Sequence, residues 1–326
     1  MQLVNKKKLH IVAGRATQSL ATDICKELGV PLGTPNISEF ANGEIHVKYF
    51  ESIRGADVFI VQTHTPWDGR SINDAITEQL IMVDAAKRAS AKRITAVIPF
   101  YGYSRQDRKA SGREPITARL LSDLFSVAGA DRLVSVDLHS GQIQGFFDGP
   151  VDHLTAMPVL VDYLSKIEGD LVVVSPDAGR MKVAERYTNL LGADLAYVHK
   201  RRSTVEANLV EAKEIIGEVE GRVCVLIDDM IDTGGTICAA ADLLVANGAE
   251  MVIAAATHGV FSEPAIDRLK NAAIETVLIT DTLPLESDKQ IDKMEILSVA
   301  PVIARAIAAV FADTSVSEIF AGNHLA

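Results

Sequence analysis

The sequence predicts an α/β fold of two similar domains on mainly parallel sheets, and three observations carry that expectation. Short runs rich in β-branched residues recur along the chain: LHIVAG, IHVKYF, DVFIVQ, RITAVIPF, RLVSVDL, DLVVVS, LAYVHK, VCVLID, MVIAAATH and TVLITD. Most are continuously apolar and not alternating, the pattern of strands covered on both faces. Helical patterns lie between many of them, and strands alternating with helices make βαβ units. The length of 326 residues exceeds one ordinary domain and favours two.

Taken in order, the opening MQLVNKKKLHIVAG has a basic cluster, but the apolar stretch after it is short and runs into a strand pattern, not a signal segment. Ser71 to Ser90 forms a helix opened by a Ser-x-x-Asp cap, and Pro115 to Ala128 forms another. Prolines and polar residues interrupt the periodicity from Gly149 to Pro158, which sets a boundary between domains 1–153 and 154–310, each with its own sheet. In the second domain Thr236 to Ala246 is helical and ends at Asn-Gly. The last helix is APVIARAIAAVF, and Val316, Ile319 and Phe320 in the tail 311–326 give it apolar groups with which to pack back on the first domain.

Composition narrows the function classes. Hydrophobic residues make up 48% and charged residues 23%, ordinary values for a globular protein, and no apolar run reaches the length of a membrane span. A formal net charge of -11 opposes non-specific nucleic-acid binding, so neither nucleic acid nor membrane is expected as a partner. The three cysteines, Cys25, Cys224 and Cys238, have no metal-binding spacing and are expected as buried fillers of a cytoplasmic protein.

The stretch VCVLIDDMIDTGGT, Val223 to Thr236, drives five apolar residues into three carboxylates, Asp228, Asp229 and Asp232. Like charges so close repel unless something outside compensates them, so the stretch calls for a ligand. Ligands of parallel sheets bind beyond the carboxyl ends of strands, where this stretch falls. Gly234 and Gly235 allow a tight turn, and the N–H groups opening the helix at Thr236 make an anion nest. Carboxylates accept hydrogen bonds from sugar hydroxyls or face magnesium, so the two parts together fit a ribose 5-phosphate. No Gly-x-Gly triplet and no Gly-Lys dipeptide occurs, which removes the dinucleotide fingerprint and the P-loop.

VLIDDMIDTGGT resembles the phosphoribosyl diphosphate loop shared by type I phosphoribosyltransferases and ribose-phosphate pyrophosphokinases. FANGE, SRQDRK, VDLHSGQIQGFFDGPVDHL, VVSPDAGR and the terminal SVS resemble the pyrophosphokinases in order and spacing, over essentially the whole chain. The resemblance implies phosphoribosyltransferase-like domains and transfer of the β,γ-diphosphoryl group of magnesium ATP to the C1 hydroxyl of ribose 5-phosphate. The products would be 5-phosphoribosyl 1-diphosphate and AMP.

Residue by residue, the resemblance assigns Phe40, Asn42 and Glu44 to adenine, reached from a neighbouring subunit, where the bare sequence shows only a turn. Arg105 and Gln106, otherwise part of a solvated loop, become ATP contacts. His139 becomes a magnesium and ATP contact, and Asp177 a second magnesium contact in the pyrophosphate loop; by residue type alone the first is a structural histidine and the second a helix cap. Asp228, Asp229, Asp232, Thr233, Gly234, Gly235 and Thr236 hold ribose 5-phosphate. Lys200 and Arg202 in HKRRS, by default a solvated charge run on a mobile loop, would close over the transferring phosphoryl group. Ser52, Arg54, Arg113, Ser315 and Ser317 resemble an allosteric phosphate site between subunits of a homohexamer. One position departs: Arg180 stands where many relatives have a second glycine after Pro-Asp. A phosphoribosyltransferase would leave FANGE and SRQDRK without a role. A catalytically silent regulatory subunit is opposed by the intact aspartates with Lys200 and Arg202.

Overall fold

A computed structural model of the chain describes residues 7–201 and 212–320, and it divides into two compact units. The first comprises residues up to Thr155, the short segment Thr282–Pro284 and the chain from Ser298 onward; the second comprises Ala156–Asp281 and Leu285–Leu297. No helix among the described residues is long and apolar enough to cross a membrane.

In the first unit the chain runs β1 (Leu9–Ala13), α1 (Gln18–Leu28), β2 (Asn36–Glu39), β3 (Ile45–Lys48), β4 (Asp57–Val61), α2 (Ile72–Arg88), β5 (Arg93–Ile98), α3 (Thr117–Ala128), β6 (Arg132–Val136) and β7 (Val151–Leu154). Five of these strands form one parallel sheet in the order β1-β4-β5-β6-β7. Every residue of β4 is buried, as a continuous apolar run covered on two sides requires. β2 and β3 stand apart as an antiparallel hairpin. The capping box expected at Ser71 is present: its backbone N–H donates to Asp74 at 2.7 Å, and Asp74 sits in the first turn of α2.

The second unit contains α4 (Met157–Leu164), β8 (Leu171–Ser175), α5 (Met181–Leu191), β9 (Asp194–Arg201), β10 (Ala212–Ile216), β11 (Val223–Ile231), α6 (Gly235–Ala246), β12 (Met251–Gly259), α7 (Ala265–Asn271), β13 (Thr276–Thr280) and β14 (Met294–Leu297). Its seven-stranded sheet has the order β10-β9-β8-β11-β12-β13-β14, parallel except for β10 against β9. From β8 the chain builds outward one way through β9 and the other way from β11. The carboxyl ends of β8 and β11 therefore flank a topological switch point, where sheets of this kind open a crevice. Cores form on both faces: Val172, Leu226, Ala254 and Val277 point to one, Val173, Val225, Ile253 and Leu278 to the other.

The expected second domain, 154–310, includes the last helix, and here the structure differs. α8 (Ala300–Ala312) groups with the first unit, packed on α1, and buries Val302, Ile303, Ala306, Ile307 and Val310. Just past its end Asp313 pairs with Lys7 and, at 2.5 Å, with Arg93, whose other arm holds the buried Asp57. The two cations hold the Asp313 carboxyl down to about 2. Apolar periodicity identifies the helix but not the unit on which it packs; the division expected between Gly149 and Pro158 falls at Thr155 and Ala156. All three cysteines are buried and free.

Candidate functional site

The site in the second unit grows from unequal strand lengths. β8 pairs with β11 only from Val223 to Leu226, while β11 runs on to Ile231 beside β12. Asp228 and Asp229 thus lie within a strand, not beyond one, on the stretch that has outrun β8. The short segment after β8 fills the space alongside. There Ser175 donates its hydroxyl to the Asp177 carbonyl at 2.6 Å, and Asp177 Oδ1 accepts the Gly179 N–H at 2.8 Å, capping a single 3-10 turn, Ala178–Arg180.

That turn delivers Arg180 to the aspartates. Its Nη2 lies 2.5 Å from Asp229 Oδ1 and its Nε 3.4 Å from Asp228 Oδ1, with all three side chains largely buried. The charge at the end of the strand is therefore not left to an external cation alone, as the sequence implied. Arg180 is a built-in counterion. It does not neutralise the pair fully: burial and the adjacent Asp229 push the Asp228 carboxyl well above the usual range, against the pull of Arg180. Asp228 also accepts the Asp229 N–H at 2.8 Å, which folds its carboxylate over its own backbone.

Beyond Ile231 the chain turns through half-buried Asp232 and exposed Thr233 into Gly234, at φ 72° and ψ -4°, a left-handed conformation that a side chain would strain. Gly234 caps α6, its carbonyl accepting the Cys238 N–H at 3.0 Å, so the N–H groups of Gly235 and Thr236 stand in the first turn, which has no intrahelical acceptors for them. A strand carrying two carboxylates, a left-handed glycine and a helix N-terminus follow one another within nine residues, 228–236. Such an arrangement offers acceptors to hydroxyls at one end and donors to an anion at the other.

In the first unit the predicted nucleotide residues fall on two features. FANGE closes the β2–β3 hairpin: the Phe40 N–H donates to the Glu44 carbonyl at 2.9 Å and the Glu44 N–H to Asn42 Oδ1 at 3.3 Å. Phe40 is 58% exposed, a large apolar ring held out into solvent and set nearly perpendicular to His46. The hairpin is anchored by Glu39, which takes Arg15 at 2.7 Å and Arg70 at 2.9 Å; Arg15 is fixed in turn by the buried Glu78.

Arg105 and Gln106 lie on the loop before α3. Gln106 is tied at 2.5 Å to Thr117 at the start of α3, and neighbouring Asp107 accepts from Gln142 at 2.5 Å. The latter bond joins this loop to the 3-10 turn that follows half-buried His139, so two predicted groups from distant sequence become neighbours. Behind the loop, fully buried His64 accepts the Gly102 N–H at 3.0 Å and bonds Gln79 at 2.9 Å; burial pushes its imidazole down to about 4, which keeps it neutral.

Lys200 lies on β9, in register with Lys213 of β10, so the strand extends past the LAYV segment from which a mobile loop was expected. Arg202 lies outside the described residues. Ser52 and Arg54 occupy the connection before β4, Arg113 takes φ 68° in the loop before α3, and Ser315 and Ser317 follow α8 with their hydroxyls 2.7 Å apart. All five belong to the first unit. Sequence reasoning missed the pairing of Arg180 with the aspartates and the contact of Arg268, whose guanidinium donates to the Thr233 carbonyl. An arginine one turn into a short helix carries no signal of such a contact.

Comparison with known proteins places this arrangement. The N-terminal domain of ribose phosphate pyrophosphokinase matches residues 9–129, and the phosphoribosyl synthetase-associated domain matches residues 211–321. A ribose-phosphate pyrophosphokinase of Streptomyces coelicolor is 56% identical over 98% of both chains, and one of Mycobacterium tuberculosis is 51% identical over the same share. The crystal structure of phosphoribosylpyrophosphate synthetase from Mycobacterium smegmatis superposes with a TM-score of 0.87 at 51% identity, covering 94% of this chain and all of that one. The chain belongs to the ribose-phosphate pyrophosphokinase family. It is accordingly an enzyme, a transferase of phosphoribosyl diphosphate synthesis for nucleotide biosynthesis.

Proposed function

We propose that the 228–236 segment is the ribose 5-phosphate site of this enzyme, with Asp228, Asp229 and Asp232 toward the ribose hydroxyls and Thr233 to Thr236 around the 5-phosphate. The observation that carries the reading is the sequence of acceptors and donors along one backbone stretch: carboxylates, then a left-handed Gly234, then the first turn of α6. Phe40, Asn42, Glu44, Arg105, Gln106 and His139 take ATP. The C1 hydroxyl attacks the β-phosphorus, the new O–P bond forms as the bond to the α-phosphate oxygen breaks, the hydroxyl proton passes to solvent and AMP leaves. The chain supplies position and charge, not a covalent intermediate. Lys200 and Arg202 stabilise the charge that develops on the transferring group.

Magnesium prefers oxygen donors and keeps phosphate and water ligands, so the Asp177 carboxylate fits as a protein donor, with His139 beside the ATP phosphates. When bound, the ion neutralises phosphate charge. The working unit in this reading is a cytoplasmic homohexamer that binds neither nucleic acid nor membrane.

The test is an assay of purified protein with ATP, ribose 5-phosphate and magnesium, reading AMP. Formation of AMP without a nucleobase separates this reading from a phosphoribosyltransferase and from a silent subunit. Thr233→Ala should raise the KM for ribose 5-phosphate about tenfold, the worth of one hydrogen bond to a charged group, and leave the KM for ATP near its starting value. Equal rises in both would remove the turn from the sugar-phosphate site.

A further inference from the structure

Arg268, on α7, reaches back across the second unit to the turn before α6. Its Nη1 donates to the Thr233 carbonyl at 3.0 Å, and a methyl group built on Gly235 would come within 3.2 Å of the same nitrogen. The guanidinium therefore bonds the turn at the Thr233 carbonyl and lies over the space beside Gly235 that a side chain there would need. α7 itself is fixed beneath: the Arg268 N–H bonds the Pro264 carbonyl at 3.1 Å, and Leu269 is fully buried next to it.

The contact matters because of how a peptide is built. A trans peptide is planar, and its C=O and N–H point in opposite directions. Holding the Thr233 carbonyl on Arg268 aims the Gly234 N–H away from α7. The left-handed Gly234 then carries the chain into the first turn of α6, whose N–H groups continue the same donor surface. A glycine pair has the largest conformational freedom of any dipeptide, so Gly234 and Gly235 left alone would sample many orientations and would lose that freedom on binding an anion. A bidentate-capable, permanently charged side chain behind the turn removes part of that loss beforehand.

We infer that Arg268 is a positioning residue for the phosphate-binding turn: it touches no substrate but fixes the Thr233–Gly234 peptide in the orientation that presents its N–H to the 5-phosphate. This rests on the assignment of 228–236 as the ribose 5-phosphate site. The surroundings make the contact separable from the core. α6 and α7 leave an open groove of about 550 Å3 around the guanidinium, lined by Cys238, Asp242, Asp267 and Asn271 among others. Removing the side chain thus leaves a solvent-reached gap with the carboxylates of Asp242 and Asp267 on its walls, one that a free guanidinium ion can enter.

The experiment uses the full chain. Arg268→Ala should raise the KM for ribose 5-phosphate about tenfold, the worth of one charge-assisted hydrogen bond, with the KM for ATP little changed. Arg268→Lys, which keeps the charge but not the planar fork, should fall between. Millimolar guanidinium chloride should bring the Arg268→Ala value back toward wild type, where the same concentration of sodium chloride does not. A folded Arg268→Ala protein with the wild-type KM overturns the inference, as does a rise shared equally by both substrates or the absence of rescue. Should Arg268→Ala melt below the assay temperature, Arg268→Gln takes its place, and a wild-type KM there is equally fatal. If Thr233→Ala raises the KM and Arg268→Ala does not, the positioning role fails alone. If neither does, the sugar-phosphate assignment fails with it.

Discussion

Arg180 changes the meaning of the aspartate pair. Read from the sequence, Asp228 and Asp229 are a charge seeking a cation; in the fold a cation is already there, supplied from three residues past Asp177. The consequence for stability has a definite sign. The Asp228 carboxyl is raised in the folded state, so the fold favours its protonated form, and the site's contribution to stability falls as pH rises from about 4, the value of a free carboxyl, through the raised folded value. Arg180 offsets part of that fall. Arg180→Met should therefore cost more at pH 8, on the order of 3 kcal/mol, the scale of breaking a largely buried ion pair from one side, than at pH 5, where Asp228 is protonated. Melting temperatures of both proteins at the two pH values check this; a loss independent of pH would mean that Arg180 serves packing and not charge. At this scale the sequence identified the acidic residues and the two glycines because their types are rare inside apolar runs. It did not identify the partner of the aspartates, because a partner is set by which loop lies beside which strand.

At the scale of elements, the useful quantity is how far each strand outruns its neighbour. β11 extends beyond β8 and so exposes its carboxylates to the next loop; β9 extends through Lys200 and is held there by β10. Strand identity was legible from β-branched runs, and α2, α3 and α6 from caps and periodicity. Strand length was not, because polar residues such as Asp228 and Lys200 read as loop although neighbouring strands pair their backbone. With its backbone tied into a sheet, Lys200 is set on a rigid base, which suits a charge that acts in the transition state. Lys200→Ala should lower kcat by roughly 10²-fold with KM values little changed, the pattern expected when a preorganised charge is lost. Unaltered kcat in steady-state assay would return HKRRS to solvent.

For the whole molecule, the proposed regulatory residues lie on three separate surface connections of the first unit: Ser52 and Arg54 before β4, Arg113 before α3, and Ser315 and Ser317 after α8. In a chain of net charge -11, an anion is held only where such groups collect. If phosphate bridges subunits there, the assembled enzyme should respond to it: activity low in phosphate-free buffer, rising with added phosphate and falling with ADP. Arg54→Ala should lose most of that response with an unchanged melting curve. Wild-type activity indifferent to phosphate would remove this site and leave the catalytic reading standing. The two-sheet architecture was legible from the sequence, but the return of α8 to the first unit was not, because it depends on contacts between segments nearly three hundred residues apart in the numbering, α1 at Gln18–Leu28 and α8 at Ala300–Ala312. That return has a consequence for synthesis. A chain emerging from the ribosome completes the second unit once Leu297 is out, while the apolar face of α1 still awaits α8. The unit that begins first is finished last, and until then the face of α1 that packs on α8 stands uncovered.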